Sequence, residues 1–255
     1  MTQVTRFSQS DLADAHTPDR IRERLQAPTT HSYLRDFVYG AIDGTVTTFA
    51  VVSGVAGAGL STGVIIVLGM ANLLADGFSM AASNYLGTKT EEELRKKARR
   101  IEESHIRHYP EGEREEIRQI FAEKGFQDGN LEHIVDVITA DRRRWVDTML
   151  VEELRMPLEG PSAGKAAATT LVAFVVVGLI PLAAFIFNLV SPAKLSNPYL
   201  ASTVLTGAAF FLIGAAKSRF VDESWHRAGF ETLVIGGGAA VLAYAVGMLL
   251  GRLVQ

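Results

Sequence analysis

The stretch "NLLADGFSMAASNYL" (residues 72–86) decides the fold, because a single charge, Asp76, interrupts an otherwise apolar run. It belongs to a longer apolar window, residues 63–87, and a helix needs about 20 such residues to cross a bilayer. A carboxylate inside a membrane helix is costly, so it usually faces a bundle interior or a water-filled path. The stretch therefore predicts a membrane helix that carries a functional polar group.

Four further windows are apolar and long enough to span a membrane as helices. In chain order, the five windows are residues 37–59, 63–87, 166–190, 199–216 and 230–251. Of all residues, 48% are hydrophobic and 21% are charged, and the two kinds fall into separate blocks. The sequence thus predicts an all-α, multi-pass membrane protein with five transmembrane helices in a lipid bilayer.

Two of these windows also carry packing signals. The third contains Gly178 and Pro181, a combination that bends a helix and is tolerated between packed neighbours. The fifth has a small residue at every fourth position, which allows a neighbouring helix to approach closely. These small residues are Ala239, Ala243, Gly247 and Gly251.

Composition limits the chemistry that the chain can support. There are no cysteines, which excludes disulfides and thiolate metal sites. The net charge of −3 is too small to indicate a nucleic-acid partner. Any metal site would use carboxylate, imidazole, amide or thioether groups, and these suit hard or borderline divalent ions.

The placement of basic residues predicts the orientation, because cytoplasmic loops carry an excess of Lys and Arg. The N-terminal tail, the block from Lys89 to Lys165 and residues 217–227 are basic or charged, whereas the loop at 56–61 has no charge. Residues 1–36 contain no apolar signal segment. We therefore expect a cytoplasmic N-terminus in a bacterial inner membrane, with a vacuolar membrane as the alternative.

The predicted organisation has four parts. Residues 1–34 form a cytoplasmic tail, 35–87 the first two spans, 88–162 a cytoplasmic helical domain, and 163–255 the last three spans. The cytoplasmic domain is predicted to contain three amphipathic helices, at about 88–108, 111–124 and 130–155. Pro and Gly mark the breaks between them, and only Gly87 interrupts the continuation from the second span. Trp145 is expected to pack in the core of this domain.

A polar stripe follows the second span, with members four residues apart on one helix face. They are Asn72, Asp76, Met80 and Asn84. The first span has one charge, Asp43, with Thr47 one turn further on. A carboxylate with a thioether suits Fe²⁺ better than Ca²⁺ or Mg²⁺, and each Asp could exchange a proton for a cation. Alternatively, a protonated Asp bonds a neighbouring helix and Met80 fills a packing gap.

The charged block contains pairs of possible metal ligands at helical spacing. They are Glu102 with His105, Glu113 with Glu116, and Met149 with Glu153, beside which stands Glu152. Helical bundles build carboxylate metal sites from such pairs on different helices. Acidic pairs are also common on solvated helices, where they have basic partners, as Glu92 has Lys96. Spacing alone therefore indicates a metal site only weakly.

Several longer motifs resemble those of the vacuolar iron transporter family. They are "RDFVYGAIDGTVTTFAVVSGVAGAGLS" (35–61), "ADGFSMAASNYLGTKTEEE" (75–93), "WVDTMLVEEL" (145–154), "GLIPL" (178–182) and "FFLIGAAKSRF" (210–220). The first two are specific, and the resemblance covers about residues 32–253.

The resemblance implies a dimer with five transmembrane helices and a three-helix cytoplasmic metal-binding domain between the second and third spans. Members export cytosolic Fe²⁺, and often Mn²⁺, into a vacuole or out of a bacterial cell. They exchange the ion for H⁺ through a path between the protomers. The family's pathway aspartate matches Asp43 and its methionine matches Met80, whereas glutamate is usual where this chain has Asp76.

The resemblance also assigns metal ligands in the cytoplasmic domain. The matching positions are Glu102, Glu113, Glu116, Glu153 and Met149. This chain departs from the family twice, because His105 stands where glutamate is usual and Leu150 replaces a common second methionine. The domain is expected to bind Fe²⁺, with Mn²⁺, Zn²⁺ and Co²⁺ as further ions.

The sequence therefore predicts a homodimeric, proton-coupled exporter of Fe²⁺ and secondly of Mn²⁺, and not an enzyme. The alternative is a membrane-anchored di-iron carboxylate module that oxidises or stores iron. That module would need a Glu-x-x-His motif on two helices, and Glu102 with His105 supplies it once. A scaffold without transport is hard to reconcile with Asp43 and Asp76 inside spans.

Overall fold

The computed structural model describes residues 9–27, 31–218 and 223–254, and every regular element within these ranges is an α-helix. In chain order the helices are α1 (Gln9–Ala15), α2 (Pro18–Gln26), α3 (Leu34–Gly57), α4 (Thr62–His108), α5 (Pro110–Glu123), α6 (Asp128–Thr139), α7 (Arg142–Glu152), α8 (Ala163–Gly178), α9 (Ile180–Val190), α10 (Pro198–Lys217) and α11 (Trp225–Val254). The chain divides into two compact units. We call Met1–Tyr85 with Gly164–Gln255 the spanning unit, and Leu86–Ala163 the charged unit.

Four of the described helices are long and apolar enough to cross a membrane, namely α3, α4, α10 and α11. The pair α8 and α9 passes the same criterion together, with a bend of 52° between the two helices. Counting that pair as one broken span gives five. The helical content and these spans confirm the prediction of an all-α, multi-pass membrane protein.

The bend between α8 and α9 lies where Gly178 and Pro181 predict it. α8 ends at Gly178, and Pro181 occupies the first turn of α9, where its missing N–H is not needed. The hydroxyl of Ser202 on α10 donates a 2.6 Å hydrogen bond to the carbonyl oxygen of Pro181. The neighbouring helix thus satisfies a backbone acceptor at the bend, as membrane helices require.

Small residues bring α3 and α11 into close contact. A Cβ atom added to Gly247 would lie 2.0 Å from the carbonyl oxygen of Gly54, and one added to Gly57 would lie 2.4 Å from that of Tyr244. Only glycine allows the two backbones to approach this closely. The predicted stripe of small residues on the fifth span therefore does form a helix–helix contact.

The core of the spanning unit is apolar and draws on several of its helices. Large buried side chains from five of them meet in one cluster, which includes Phe49, Leu73, Phe174, Phe185 and Phe210. Since lipid is as apolar as these side chains, their contribution is close packing rather than escape from water. The cluster fixes the positions of α3 and α4, the two helices that carry the intramembrane aspartates.

The charged unit corrects one helix of the sequence prediction. α4 runs without interruption through Gly87 to His108, as predicted, and α5 also matches its predicted bounds closely. The third predicted helix, 130–155, is wrong, because it is two helices, α6 and α7. The break arises because the Asp141 side chain accepts a hydrogen bond from the backbone N–H of Arg144, which caps a new helix start.

The last turn of the predicted third helix is also absent. α7 ends at Glu152, and Arg155 adopts a left-handed backbone conformation with φ 52°, which terminates the helix. The core of the unit includes Ile117, Val135 and Trp145, so the prediction that Trp145 is buried is confirmed. This core holds the end of α4 against α5 and α7, the helices that carry the predicted ligands.

Candidate metal sites

The first candidate site lies in the spanning unit, where Asp43 of α3 and Asp76 of α4 are close enough for their charges to repel each other. Asp43 is partly buried, whereas Asp76 is exposed on the surface of the single chain. The structure thus brings together two carboxylates, one from each span, that were predicted to lie in a transport path.

Hydrogen bonds connect this pair of helices beside Asp43. The Thr47 hydroxyl donates to the carbonyl oxygen of Asp43 over 2.8 Å, within α3. The Asn72 amide then donates to the Thr47 oxygen over 3.3 Å, from α4 to α3. Asn72 and Thr47, both predicted as pathway residues, therefore contact each other and fix α4 against the turn of α3 that carries Asp43.

Met80 and Asn84 occupy different surroundings from Asp76. Met80 is partly buried and packs against the apolar cluster of the spanning unit. The Asn84 amide donates to the Asp36 carboxylate (2.8 Å) and to the Thr170 hydroxyl (2.7 Å). Asn84 thus links α4 to α3 and α8, two turns or about 12 Å along α4 from Asp76.

The sequence analysis did not select Asp36 and Thr170. Asp36 lies in the first turn of α3, where acidic residues are common because they complement the helix dipole. Thr170 is fully buried in α8 and also donates to the carbonyl oxygen of Ala166 in its own helix. Asp36 stands seven residues before Asp43, close to the same face of α3, so its spacing was a signal. Thr170 has no such pattern, and only the packing of three helices reveals its contact with Asn84.

The second candidate site lies in the charged unit, where Glu102, His105 and Glu113 form one cluster. One ligand atom from each residue lies within 4.8 Å of the other two. Nδ1 of His105 is 3.2 Å from a carboxylate oxygen of Glu113. The Glu102 and Glu113 side chains are 4% and 5% exposed, whereas His105 reaches the solvent. The end of α4 and the start of α5 position all three.

One oxygen of each buried carboxylate in this cluster has no hydrogen-bond partner among the described residues. Among the described residues, no group hydrogen-bonds to the second carboxylate oxygen of Glu102 or of Glu113, although both atoms are buried. A buried charged oxygen without a partner is strongly unfavourable, and a bound cation would remove that cost. The orphaned oxygens therefore fit a site built for a positive ion.

Burial and mutual repulsion raise the pKa of the clustered acids. Burial, together with repulsion from Glu116 and Glu102, raises the pKa of Glu113 to about 7. Burial also raises the pKa of Glu102. The pKa of Glu153 is raised by burial first and by the negative charge of Glu102 second. Glu116 and Glu153 therefore lie within electrostatic range of the cluster, and their role as ligands stays a prediction.

The remaining two predicted ligands are placed differently. Met149 is fully buried in the apolar core of the charged unit. Glu152 forms an ion pair with Lys124 (2.5 Å) and faces a groove shared with Phe121. The structure does not bring Glu152 to the cluster, because residues 152 and 153 point in directions about 100° apart on a helix.

A cavity of about 370 Å³ adjoins the cluster and gives it access to solvent. Its lining includes Glu102, His105 and Glu153, together with the basic side chain of Lys97. An ion can therefore approach Glu102 of the cluster from the side on which His105 is exposed.

Spans whose two carboxylates interact electrostatically, together with a helical unit that holds a buried carboxylate–imidazole cluster, are the features of a membrane transport protein for metal ions. The chain belongs to the VIT family, whose family model matches residues 34–248. This membership confirms both the resemblance found in the sequence and the prediction of a transporter rather than an enzyme.

Curated relatives match the chain over most of its length. A vacuolar iron transporter of Toxoplasma gondii is 32% identical, covering 92% of this chain and 82% of the relative. Vacuolar iron transporter 1 of Arabidopsis thaliana is 30% identical, covering 96% and 95%. A vacuolar iron transporter of Plasmodium berghei is 26% identical, covering 92% and 88%.

Proposed function

We propose that the chain exports Fe²⁺ from the cytoplasm in exchange for protons, with Mn²⁺ as a second substrate. The observation that carries this proposal is the approach of Asp43 and Asp76 on two neighbouring membrane-spanning helices. Carboxylates inside a membrane are rare, and they mark ion pathways and proton relays. The relatives named as iron transporters support Fe²⁺ as the ion.

Two neighbouring carboxylates provide the minimum chemistry for exchange. One divalent cation between Asp43 and Asp76 neutralises both negative charges, and protons neutralise them when the cation has left. The same pair therefore carries either a metal ion or protons, and a gradient of one drives the other. Met80 follows Asp76 by one turn on α4 and packs at the edge of the apolar cluster. A change of its rotamer would supply a soft thioether ligand, which favours Fe²⁺ over Mg²⁺ or Ca²⁺.

The exposure of Asp76 favours a homodimer. Asp76 shares the exposed surface of α4 with Leu74 and Phe78, whose side chains are 64% and 70% exposed in the single chain. A carboxylate that faced lipid at this depth would cost several kcal/mol, on the order of 3. A second copy of the chain covering this surface would remove that cost and would enclose the ion path between the protomers.

The charged unit would act on the cytoplasmic side, where its cluster captures the ion before transport. Carboxylate and imidazole ligands together accept Fe²⁺, Mn²⁺, Zn²⁺ and Co²⁺. The host would be a bacterial inner membrane or a vacuolar membrane. The excess of Lys and Arg in the N-terminal tail and the charged unit favours a cytoplasmic position for both. An odd number of spans would then put the C-terminus on the opposite side.

Flux into proteoliposomes tests the proposal. Purified full-length protein is reconstituted, a pH gradient is imposed, and uptake of Fe²⁺ and Mn²⁺ is followed in wild type, Asp43→Ala and Met80→Ala. We expect gradient-driven uptake by the wild type, with a large loss in both variants. Thr203→Val serves as control, since the Thr203 hydroxyl bonds only to the Tyr199 carbonyl of its own helix among the contacts of the described chain. Unchanged flux in Asp43→Ala would contradict the proposed path.

A further inference from the structure

We infer that His105 sets the metal preference of the Glu102–His105–Glu113 cluster, by supplying a nitrogen ligand that favours Fe²⁺, Co²⁺ and Zn²⁺ over Mn²⁺ and Mg²⁺. The inference rests on the proposed binding of metal by this cluster and adds the residue that discriminates between ions. The inference concerns one ligand position, residue 105, at which this chain carries an imidazole.

The cluster meets the requirements for a built site rather than a solvated acidic patch. Glu102 and Glu113 are both more than nine-tenths buried, and each keeps a buried carboxylate oxygen without a hydrogen-bond partner among the described residues. Surface carboxylates would be hydrated, so they would not need a cation. These two are held away from water by the apolar core around Ile106 and Ile117.

The geometry allows one ion to contact all three side chains. Metal–nitrogen and metal–oxygen bonds of about 2.0 to 2.2 Å let ligands on opposite sides of an ion lie roughly 4.4 Å apart. The three ligand atoms here lie within 4.8 Å of one another. A rotamer adjustment of a few tenths of an ångström, easily made by the exposed His105, brings them onto one ion.

Charge balance also favours an imidazole at this position. Besides the two buried carboxylates, those of Glu116 and Glu153 lie within electrostatic range, so the cluster already has more carboxylates than one divalent cation balances. A carboxylate in place of His105 would add a further negative charge to a partly dry site, which is unfavourable. The imidazole therefore completes the coordination without adding charge.

The nitrogen ligand changes which ions bind best. Affinity for nitrogen-containing sites rises from Mn²⁺ through Fe²⁺ to Co²⁺, whereas carboxylate and water ligands suit Mg²⁺, Ca²⁺ and Mn²⁺. A cluster with His105 should thus separate Fe²⁺ from Mn²⁺ and Mg²⁺ more strongly than an all-carboxylate cluster. The cluster would filter ions before they reach the membrane path.

Calorimetric titration of the full-length protein in detergent tests the inference, with Mn²⁺ and with Co²⁺ as an air-stable substitute for Fe²⁺. The Kd ratio of the two ions is compared between wild type and His105→Glu. Glu113→Gln defines the cluster's share of the binding, because the aspartates of the spans remain intact in that variant. His108→Glu is the matched control, since it adds the same charge one turn away, where His108 bonds only to Ser104 among the contacts of the described chain.

We expect His105→Glu to reduce the preference for Co²⁺ over Mn²⁺ by about tenfold, at the low end of the range that ligand-environment changes cause in metal sites. His108→Glu should keep the wild-type ratio. Loss of structure alone would weaken both ions together, so the ratio separates a ligand role from a structural one. If His105→Glu does not fold, as judged by its Trp145 fluorescence, His105→Gln replaces it, with the same fall in the ratio expected.

Two results would overturn the inference. An unchanged ratio in the folded His105 variant, combined with loss of a site in Glu113→Gln, would refute the role of His105 and leave the metal site standing. Titrations of Glu113→Gln that match those of the wild type would refute the metal site itself, and the inference with it.

Discussion

The amide nitrogen of Asn84 lies 2.8 Å from a carboxylate oxygen of Asp36, and this contact joins α4 to the start of α3. The same nitrogen donates to the Thr170 hydroxyl of α8, so one side chain connects three helices of the spanning unit. Sequence spacing places Asn84 on the stripe of Asp76, but its contacts are those of a residue that positions helices.

Asn84→Ala should lower the stability of the protein, because it leaves the Asp36 carboxylate and the Thr170 hydroxyl without this donor. Interhelical hydrogen bonds of this kind contribute about 1 kcal/mol in membrane proteins. The measurement is the midpoint of thermal unfolding in detergent. The control is Thr90→Ala, because the hydroxyl of Thr90 donates to the Leu86 carbonyl of its own helix. Equal midpoints for the two variants would show that the three-helix contact contributes nothing.

Gly247→Ala should destabilise the contact between α3 and α11, because the added Cβ would collide with the carbonyl oxygen of Gly54 at 2.0 Å. Gly237→Ala is the matched control on the same helix, since a Cβ atom there would meet no atom of the described chain within 4 Å. Replacing glycine by alanine within a helix normally stabilises by about 0.5 to 1 kcal/mol. We therefore expect opposite changes in the unfolding midpoint. A midpoint raised in both variants would exclude the close approach of α3 and α11.

Glu113→Gln should reduce the pH dependence of stability when no metal is present. The pKa of Glu113 is raised from its ordinary value of 4.5 to about 7, mainly by burial. Between these two pH values the folded state binds more protons than the unfolded state, so stability falls as pH rises through this window. Removing the ionisable group removes this contribution, which is about 3 kcal/mol for a pKa raised from 4.5 to about 7.

The measurement is the fall in thermal midpoint between pH 5 and pH 8, followed by Trp145 fluorescence after Trp225→Phe has removed the second tryptophan. Glu115→Gln is the control on the same helix, because hydrogen bonds from Gln119 and Arg118 lower the pKa of that exposed carboxyl. The fall should be smaller in Glu113→Gln than in wild type and undiminished in Glu115→Gln. The same fall in all three proteins would contradict a raised pKa at Glu113.

Metal binding by the charged cluster should weaken as the pH drops below about 7. Glu113 holds a proton at acidic pH, and a metal ion must displace that proton before it can bind. Co²⁺ titrations of the full-length protein at pH 6 and pH 8 measure this dependence, after the binding seen in the Glu113→Gln variant has been subtracted. Equal affinities at the two pH values would exclude Glu113 as a ligand.

The sequence predicts the helices that have clear composition or punctuation. Long apolar windows reveal the spans, and Pro110 and Gly125 mark the ends of helices in the charged unit. The break at Asp141 could not be predicted, because "ADRRRWVD" contains neither Pro nor Gly and suits a continuous helix. A single cap, in which the Asp141 side chain bonds the Arg144 backbone, outweighs that local preference.

The candidate sites were predictable in part, and helix geometry explains the remainder. A spacing of four residues turns by about 40° from a helix face at each step, so Asn84 lies roughly 80° round α4 from Asp76. Because of this rotation, Asn84 contacts Asp36 and Thr170 and does not share the helix face of Asp76. The meeting of Glu113 with Glu102 depends on how α5 folds back on α4, which no local pattern encodes.

The central claim is that Asp43 and Asp76 together carry the ion across the membrane. Its most direct test is Fe²⁺ uptake into proteoliposomes under an imposed pH gradient, with internal pH recorded at the same time, for wild type, Asp43→Asn, Asp76→Asn and Asp76→Glu. We predict that each asparagine variant loses both metal uptake and the accompanying proton movement, and that Asp76→Glu, which keeps the charge, retains both. Wild-type uptake and proton movement in Asp43→Asn or Asp76→Asn would contradict the account.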